Sequence, residues 1–121
     1  MAKIMMVDDD KLVLDLLQKL LKADGFETAA TSDSSIAVEL AKKELPDVFL
    51  LDLMMPQPDG FRLCRMLREE PLFTHTPIII VTALDDNDSR AVAFGAGATD
   101  YITKPFHPGD LKDKILEALE S

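Results

Sequence analysis

A single cysteine, Cys64, leaves no partner for an internal disulfide and too few thiols for a cysteine-based zinc cluster. It falls in the apolar period of Leu63 and Leu67 and so reads as a small core residue. Basic side chains are also few: 13 Lys and Arg stand against 22 Asp and Glu, a net charge of −9. Binding to nucleic acid or anionic membranes requires stripes of Lys and Arg that neutralise phosphates, and the sequence has none. Cationic partners, metal ions among them, are favoured instead. No run approaches the length of about 18 apolar residues needed to span a bilayer. The opening "MAKIMMVDDD" meets acids too early for a secretory signal, so a cytoplasmic location is expected. Low-complexity segments, repeats and a glycine-rich phosphate loop are all missing.

What is present suits one domain over residues 1–121, with 47% apolar residues and enough length for a core without staples. Short apolar runs alternate with segments of helical period, the pattern of five βα units on a parallel sheet. Strands are expected at Lys3 to Val7, Phe26 to Ala30, "DVFLLDL" (47–53), "PIIIVTA" (77–83) and Thr99 to Ile102. The first helix is expected from Lys11 to Ala23, with Leu12, Leu16, Leu20 and Val13, Leu17, Leu21 as one apolar face and a stop at Asp24 and Gly25. Asp33 or Ser34 should cap a second helix carrying Ile36, Ala37, Leu40 and Ala41. Pro56, Pro58 and Gly60 mark a loop before a third helix with Phe61, Cys64 and Leu67. A fourth closes near Gly95 and Gly97, and a fifth starts at Pro108 and carries Leu111, Ile115 and Leu119.

In open parallel sheets, ligands sit outside the carboxyl ends of the strands. Four of the five ends carry something reactive: Asp8 and Asp9 after the first strand, Asp52 within "LLDLMMP", Thr82 at the end of the fourth, and Lys104 after the fifth. An acid inside an apolar strand is costly to bury unless paired or bound to a cation. Carboxylates about 5 Å apart repel by roughly 3 kcal/mol per pair at an effective dielectric near 20. Lys104 can supply one compensating charge, and a divalent cation two. All-oxygen donors without thiol or imidazole point to magnesium. A carboxylate held beside magnesium, a lysine and a hydroxyl is arranged to attack phosphorus, which makes Asp52 the candidate nucleophile and an aspartyl phosphate the product. Asp85, Asp86 and Asp88 read as caps of the fourth helix, and His75 and His107 as surface residues.

Together, "VDD" (7–9), "LLDLMMPQPDG" (50–60), "VTA" (81–83) and "YITKPF" (101–106) resemble the receiver domain of two-component response regulators over essentially the whole chain. The resemblance implies a flavodoxin-like (βα)5 three-layer sandwich with strand order 2-1-3-4-5. It implies that Asp52 is the phosphoacceptor, that Asp9, Asp52 and the Met54 carbonyl coordinate magnesium directly, and that Asp8 acts mainly through water. Thr82 would contact the phosphoryl group, Lys104 would match the family's invariant lysine, Pro105 would follow a cis bond, and Tyr101 would be the switch aromatic that turns inward as Thr82 moves. The implied partner is a histidine kinase or histidine phosphotransfer protein, with an output domain or target protein reached through the face of the fourth helix, fifth strand and fifth helix. The same resemblance implies no reaction on an external metabolite beyond self-phosphorylation and autodephosphorylation. Dimerisation on phosphorylation is compatible with this reading, although "SRAVAFGAGA" and "HPGDLKDKILEALES" show no charge pattern that requires it.

Three other readings compete. Asp8 and Asp10 form a D-x-D arrangement like that of haloacid dehalogenase-type phosphatases, with Asp8 as nucleophile, but Leu12 stands where Thr or Val is expected and the chain has no room for a substrate cap. A phosphorylation-independent binding module would keep the fold alone. A flavodoxin would need amides and hydroxyls in the first loop, which is acidic here.

Overall fold

The computed structural model describes residues 1–120. In chain order the elements are β1 (Lys3–Val7), α1 (Lys11–Ala23), β2 (Glu27–Thr31), α2 (Ala37–Glu44), β3 (Val48–Leu51), α3 (Gly60–Glu69), β4 (Ile78–Thr82), α4 (Asn87–Gly95), β5 (Asp100–Thr103) and α5 (Pro108–Glu120). The strands form one parallel sheet of order β2-β1-β3-β4-β5. The expected flavodoxin-like topology is therefore the observed one.

Strand alternation divides the core into two layers. Ile4, Met6, Val48, Leu50, Ile79 and Val81 face α1 and α5, where they meet Leu14, Leu17, Leu21, Leu111 and Ile115. Their neighbours Met5, Val7, Phe49, Leu51, Ile78 and Ile80 face α2, α3 and α4, and pack on Ala37, Ala41, Leu63, Cys64, Leu67 and Ala93. Because β1, β3 and β4 are buried on both faces, their sequences read as continuous apolar runs. Cys64 is fully buried, and burial pushes its thiol up to about 11, so it is the core residue its spacing suggested.

Side-chain caps set the helix starts. Asp10, Asp59 and Asp86 accept backbone N–H bonds at the first turns of α1, α3 and α4, and Asp33 does so for the 3-10 turn Ser34–Ile36 that leads into α2. Asp10 is thus a capping residue, which accounts for the third acid of "VDDDK". The ends of α1 and α4 are closed by left-handed Gly25 (φ 91°) and Gly97 (φ 111°); Phe26 N–H and Ala98 N–H reach back to Leu21 O and Ala93 O. The Arg68 guanidinium joins α3 to the segment before β5, donating to Gly97 O (2.8 Å), Phe73 O (2.8 Å), Thr76 O and the Thr99 hydroxyl.

The structure corrects several boundaries and one face. β2 and β5 each start one residue later than expected, and β3 ends at Leu51, so Asp52 stands just beyond the strand and not within it. The apolar face of α1 is narrower than the sequence suggested: Leu14, Leu17 and Leu21 are buried, whereas Leu12 and Leu16 are 81% and 59% exposed. The stripe the sheet takes joins Leu14, which the expected face omits, to Leu17 and Leu21, and it leaves Leu12 and Leu16 outside because the expected rows span more of the helix circumference than one sheet can cover.

Candidate functional site: an acidic pocket at the carboxyl ends of the strands

Sheet register brings the acids together. Val7 pairs with Leu51, so the next residues, Asp8 and Asp52, leave adjacent strands side by side, and Asp52 N–H still donates to Val7 O at 3.0 Å. β1 leads on to β2 on one side and β3 to β4 on the other, so the connections leaving these two neighbouring strands run in opposite directions and open a crevice between them. One carboxylate oxygen each from Asp8, Asp9 and Asp52 lies within 4.8 Å of the others. Asp8 and Asp52 are buried, while Asp9 is exposed to incoming solutes. The expected acid triad therefore exists.

Lys104 completes it from the far side of the sheet. Thr82 pairs with Thr103, and Lys104 N–H donates to Thr82 O at 2.8 Å, which delivers the next side chain to the pocket. Its ammonium donates to Asp8 Oδ2 at 2.8 Å and Asp52 Oδ2 at 3.0 Å. The Lys104–Pro105 peptide is cis, as expected; Gln57–Pro58 is also cis, which the sequence did not signal. Thr82 is fully buried, and its hydroxyl helps to stabilise the Asp52 carboxylate.

The two buried acids differ in character. Desolvation pushes the Asp8 carboxyl above its ordinary range, even though Lys104 and the Asp10 N–H (2.9 Å) favour its charged form. Asp52 is also desolvated, but the Met54 N–H (3.1 Å), the Lys104 ammonium and the Thr82 hydroxyl together hold it below that range. Asp52 is therefore the better-stabilised anion. Burial pulls Lys104 down, and its bonds to Asp8 and Asp52 more than reverse this, so it stays protonated. Three carboxylates against one ammonium leave an uncompensated negative charge, and the all-oxygen donor set fits magnesium.

Two residues read from the sequence as a loop glycine and a candidate helix cap support the site instead, and the cap is Asp33. A Cβ on Gly60, the first residue of α3, would overlap the Asp52 carbonyl oxygen and Leu53 Cα, and Gly60 N–H donates to Leu53 O at 3.1 Å. Buried Ser34 donates to Pro56 O at 3.1 Å and pins the loop that follows Asp52. A glycine opening a helix straight after its cap was the available signal for Gly60; nothing local marks Ser34. G60A should lower stability by about 1–3 kcal/mol, as expected when backbone must shift around an added methyl. It should also slow labelling of Asp52. Denaturant titration and phosphorylation rate check the two effects separately.

Tyr101 is buried and turned inward, with its hydroxyl donating to Leu84 O at 2.6 Å. His75 and His107 are exposed in loops, as expected.

This topology and crevice define a flavodoxin-like domain of the chemotaxis-regulator type with an acidic pocket at its switch point. A family model described as the response regulator receiver domain matches residues 4–116, and the chain belongs to that family. Curated relatives include Response regulator PleD of Caulobacter vibrioides, 40% identical over 86% of this chain and 23% of that protein. The alkaline phosphatase synthesis transcriptional regulatory protein PhoP of Bacillus subtilis is 36% identical over 97% of this chain and 48% of its own length. The chain thus spans less than half the length of these relatives. Among solved structures, the BeF3-activated N-terminal receiver domain of RstA from Klebsiella pneumoniae superposes with a TM-score of 0.92 at 33% identity, covering 98% of this chain and 99% of that one. The receiver domain of a sensor histidine kinase from Pseudomonas aeruginosa, described with a magnesium ion coordinated in its active-site cleft, gives 0.91 at 27% identity, covering 99% and 98%. Among the described residues, no helix is long and apolar enough to cross a membrane.

Proposed function

We propose that Asp52 takes a phosphoryl group from a phosphohistidine on a histidine kinase or histidine phosphotransfer protein, and that the resulting aspartyl phosphate drives a signalling switch. The observation that carries this reading is the Lys104 ammonium bridging Asp8 and Asp52 in a crevice where the Met54 N–H, Lys104 and Thr82 hold the Asp52 carboxyl below its ordinary range. An Asp52 oxygen forms the new O–P bond while the P–N bond to the donor imidazole breaks; that nitrogen keeps the electron pair and takes a proton from water. Lys104 neutralises charge on the transferring group, and Thr82 donates to one of its oxygens. Asp9, Asp52 and the Met54 carbonyl would hold magnesium, with Asp8 supporting them, and the ion would supply further charge neutralisation there.

An apolar groove beside the pocket supports a protein donor that docks an apolar surface there. Val13, Leu16 and Leu20 of α1 face Pro105, Phe106 and Pro108 across a space of about 310 Å³ that Lys104 also lines. This gives the exposed Leu16 a purpose that the fold alone does not. The output would be carried by α4, β5 and α5, where a new dianion biases a pre-existing two-state equilibrium. Incubation with a reconstituted phosphohistidine donor tests the reading: transfer to wild type but not to D52N supports it, and transfer to both overturns it.

The phosphorylated state should not be among the shortest-lived of the family. Met54 is 55% exposed and Leu84 half-buried at the rim, and neither side chain can hold an attacking water by a hydrogen bond. The double variant M54N/L84E should shorten the lifetime about tenfold, the rate equivalent of one well-placed hydrogen bond of about 1.4 kcal/mol. Decay of the phosphorylated species followed by intact mass measures it, and an unchanged rate would remove this explanation.

A further inference from the structure

Tyr101 is the only tyrosine, and the chain has no tryptophan. Its ring is held from three sides. The hydroxyl donates to Leu84 O, the Arg90 guanidinium carbon stands 4.5 Å from the ring centroid, and Phe94 lies tilted against it with centroids 6.4 Å apart. Arg90 also donates through Nη2 to Thr103 Oγ1 at 3.0 Å. Tyr101 and Thr103 are two apart on β5 and so share one face, which lets a single α4 side chain grip the strand at both points. Thr103 in turn pairs with Thr82 in the sheet.

We infer that Arg90 is a positioning residue for Tyr101, holding the ring inward before any phosphoryl group arrives. The cation–π contact is available to the inward ring and is lost when the ring swings out, so it biases that equilibrium by its differential energy. The planar guanidinium suits both tasks at once, lying over the ring while one nitrogen donates to the Thr103 hydroxyl, whereas a lysine ammonium is a single point charge that meets both less well. The inward position of Tyr101 is then set by α4, through Arg90 and Phe94, as well as by its hydroxyl bond to Leu84 O. The link to signalling rests on the proposed phosphorylation of Asp52; the resting position of Tyr101 does not.

The full chain labelled with 3-fluorotyrosine reports on this one side chain. Its 19F resonance and the acrylamide quenching of tyrosine fluorescence are read on unphosphorylated wild type, R90L and R90K. R90L keeps aliphatic packing and removes the cation. Its inward-to-outward ratio should fall about fivefold, equivalent to about 1 kcal/mol for a partly exposed cation–π contact. R90K should fall between R90L and wild type. A structural role alone would lower the melting temperature with the 19F shift and quenching unchanged, and that result overturns the inference. If R90L fails to fold by circular dichroism, R90K and R90Q decide the question by the same readouts. Acetyl phosphate and magnesium are then added to each protein. Failure of all to phosphorylate sinks the Asp52 reading and leaves the resting measurement standing; normal phosphorylation with an unmoved Tyr101 in R90L sinks only the role of Arg90.

Discussion

Replacing Lys104 with Met should cost the folded chain about 3 kcal/mol at neutral pH without magnesium. Removing one partner of a buried ion pair typically costs about 3–5 kcal/mol, because the other charge is left desolvated. Here two carboxylates lose the same cation, with side-chain exposures of 6% and 9% for Asp8 and Asp52. The lower end of the range applies because Lys104 itself is 21% exposed and water can follow it out. The pH dependence follows from the shifts. In wild type, Asp52 is depressed, so its contribution is present above its unfolded value of 3.8 and is lost as pH falls through the folded value. Asp8 is raised, so its ionisation works against folding, and that part of stability is lost as pH rises through its folded value. Without Lys104 both carboxyls shift upward, and K104M should gain stability relative to wild type as pH falls from 7 toward 4. Magnesium at about a hundredfold its dissociation constant should return about 2.7 kcal/mol. Urea titrations at several pH values, with and without magnesium, check all three signs. A K104M variant as stable as wild type at pH 7 would mean that the acids are not in one another's field.

Asp52→Asn should abolish phosphoryl uptake. Loss of a nucleophile removes the reaction path and not merely a fraction of its rate, and a fall of at least about 10⁴-fold in labelling is expected. Asp8→Asn is the informative contrast. Since burial already disfavours the Asp8 carboxylate, a neutral isostere should leave the protein at least as stable in the absence of magnesium. Its magnesium affinity should nonetheless fall by about 10–100-fold, as for other outer-shell partners of a bound metal. A site kept for function at the expense of stability behaves in this way. If D8N were both less stable and unchanged in magnesium binding, Asp8 would be a structural acid.

Much of this site can be read from residue order because its chemistry conflicts with its surroundings. Asp52 follows four buried apolar residues and would be costly there without a partner, and Lys104 follows a strand whose carboxyl end must meet the same crevice. The alternation of short apolar runs and helical periods fixed the topology for the same reason: a parallel sheet buried on both faces leaves few other arrangements. What escaped depends on tertiary contact. Gly60 looks like a turn glycine until the Asp52 carbonyl is placed against it, and Arg90 looks like a solvated helix residue until β5 lies beneath it. On α1 the misreading was one of degree. Leucines at 12, 14, 16, 17, 20 and 21 offer two overlapping stripes, and periodicity alone cannot say which one the sheet takes. The stripe left outside borders the groove beside the pocket, where a partner can use it.

If Asp52 is the phosphoacceptor proposed here, the chain must carry the phosphoryl group on that carboxylate. Intact mass of the wild-type chain after acetyl phosphate and magnesium, followed by borohydride reduction and peptide mapping, tests it most directly. The expected result is one added phosphoryl group on Asp52 that fails to form when EDTA replaces magnesium. A folded chain that gains no mass, or one labelled at Asp8 or Asp9 while Asp52 stays free, would contradict it.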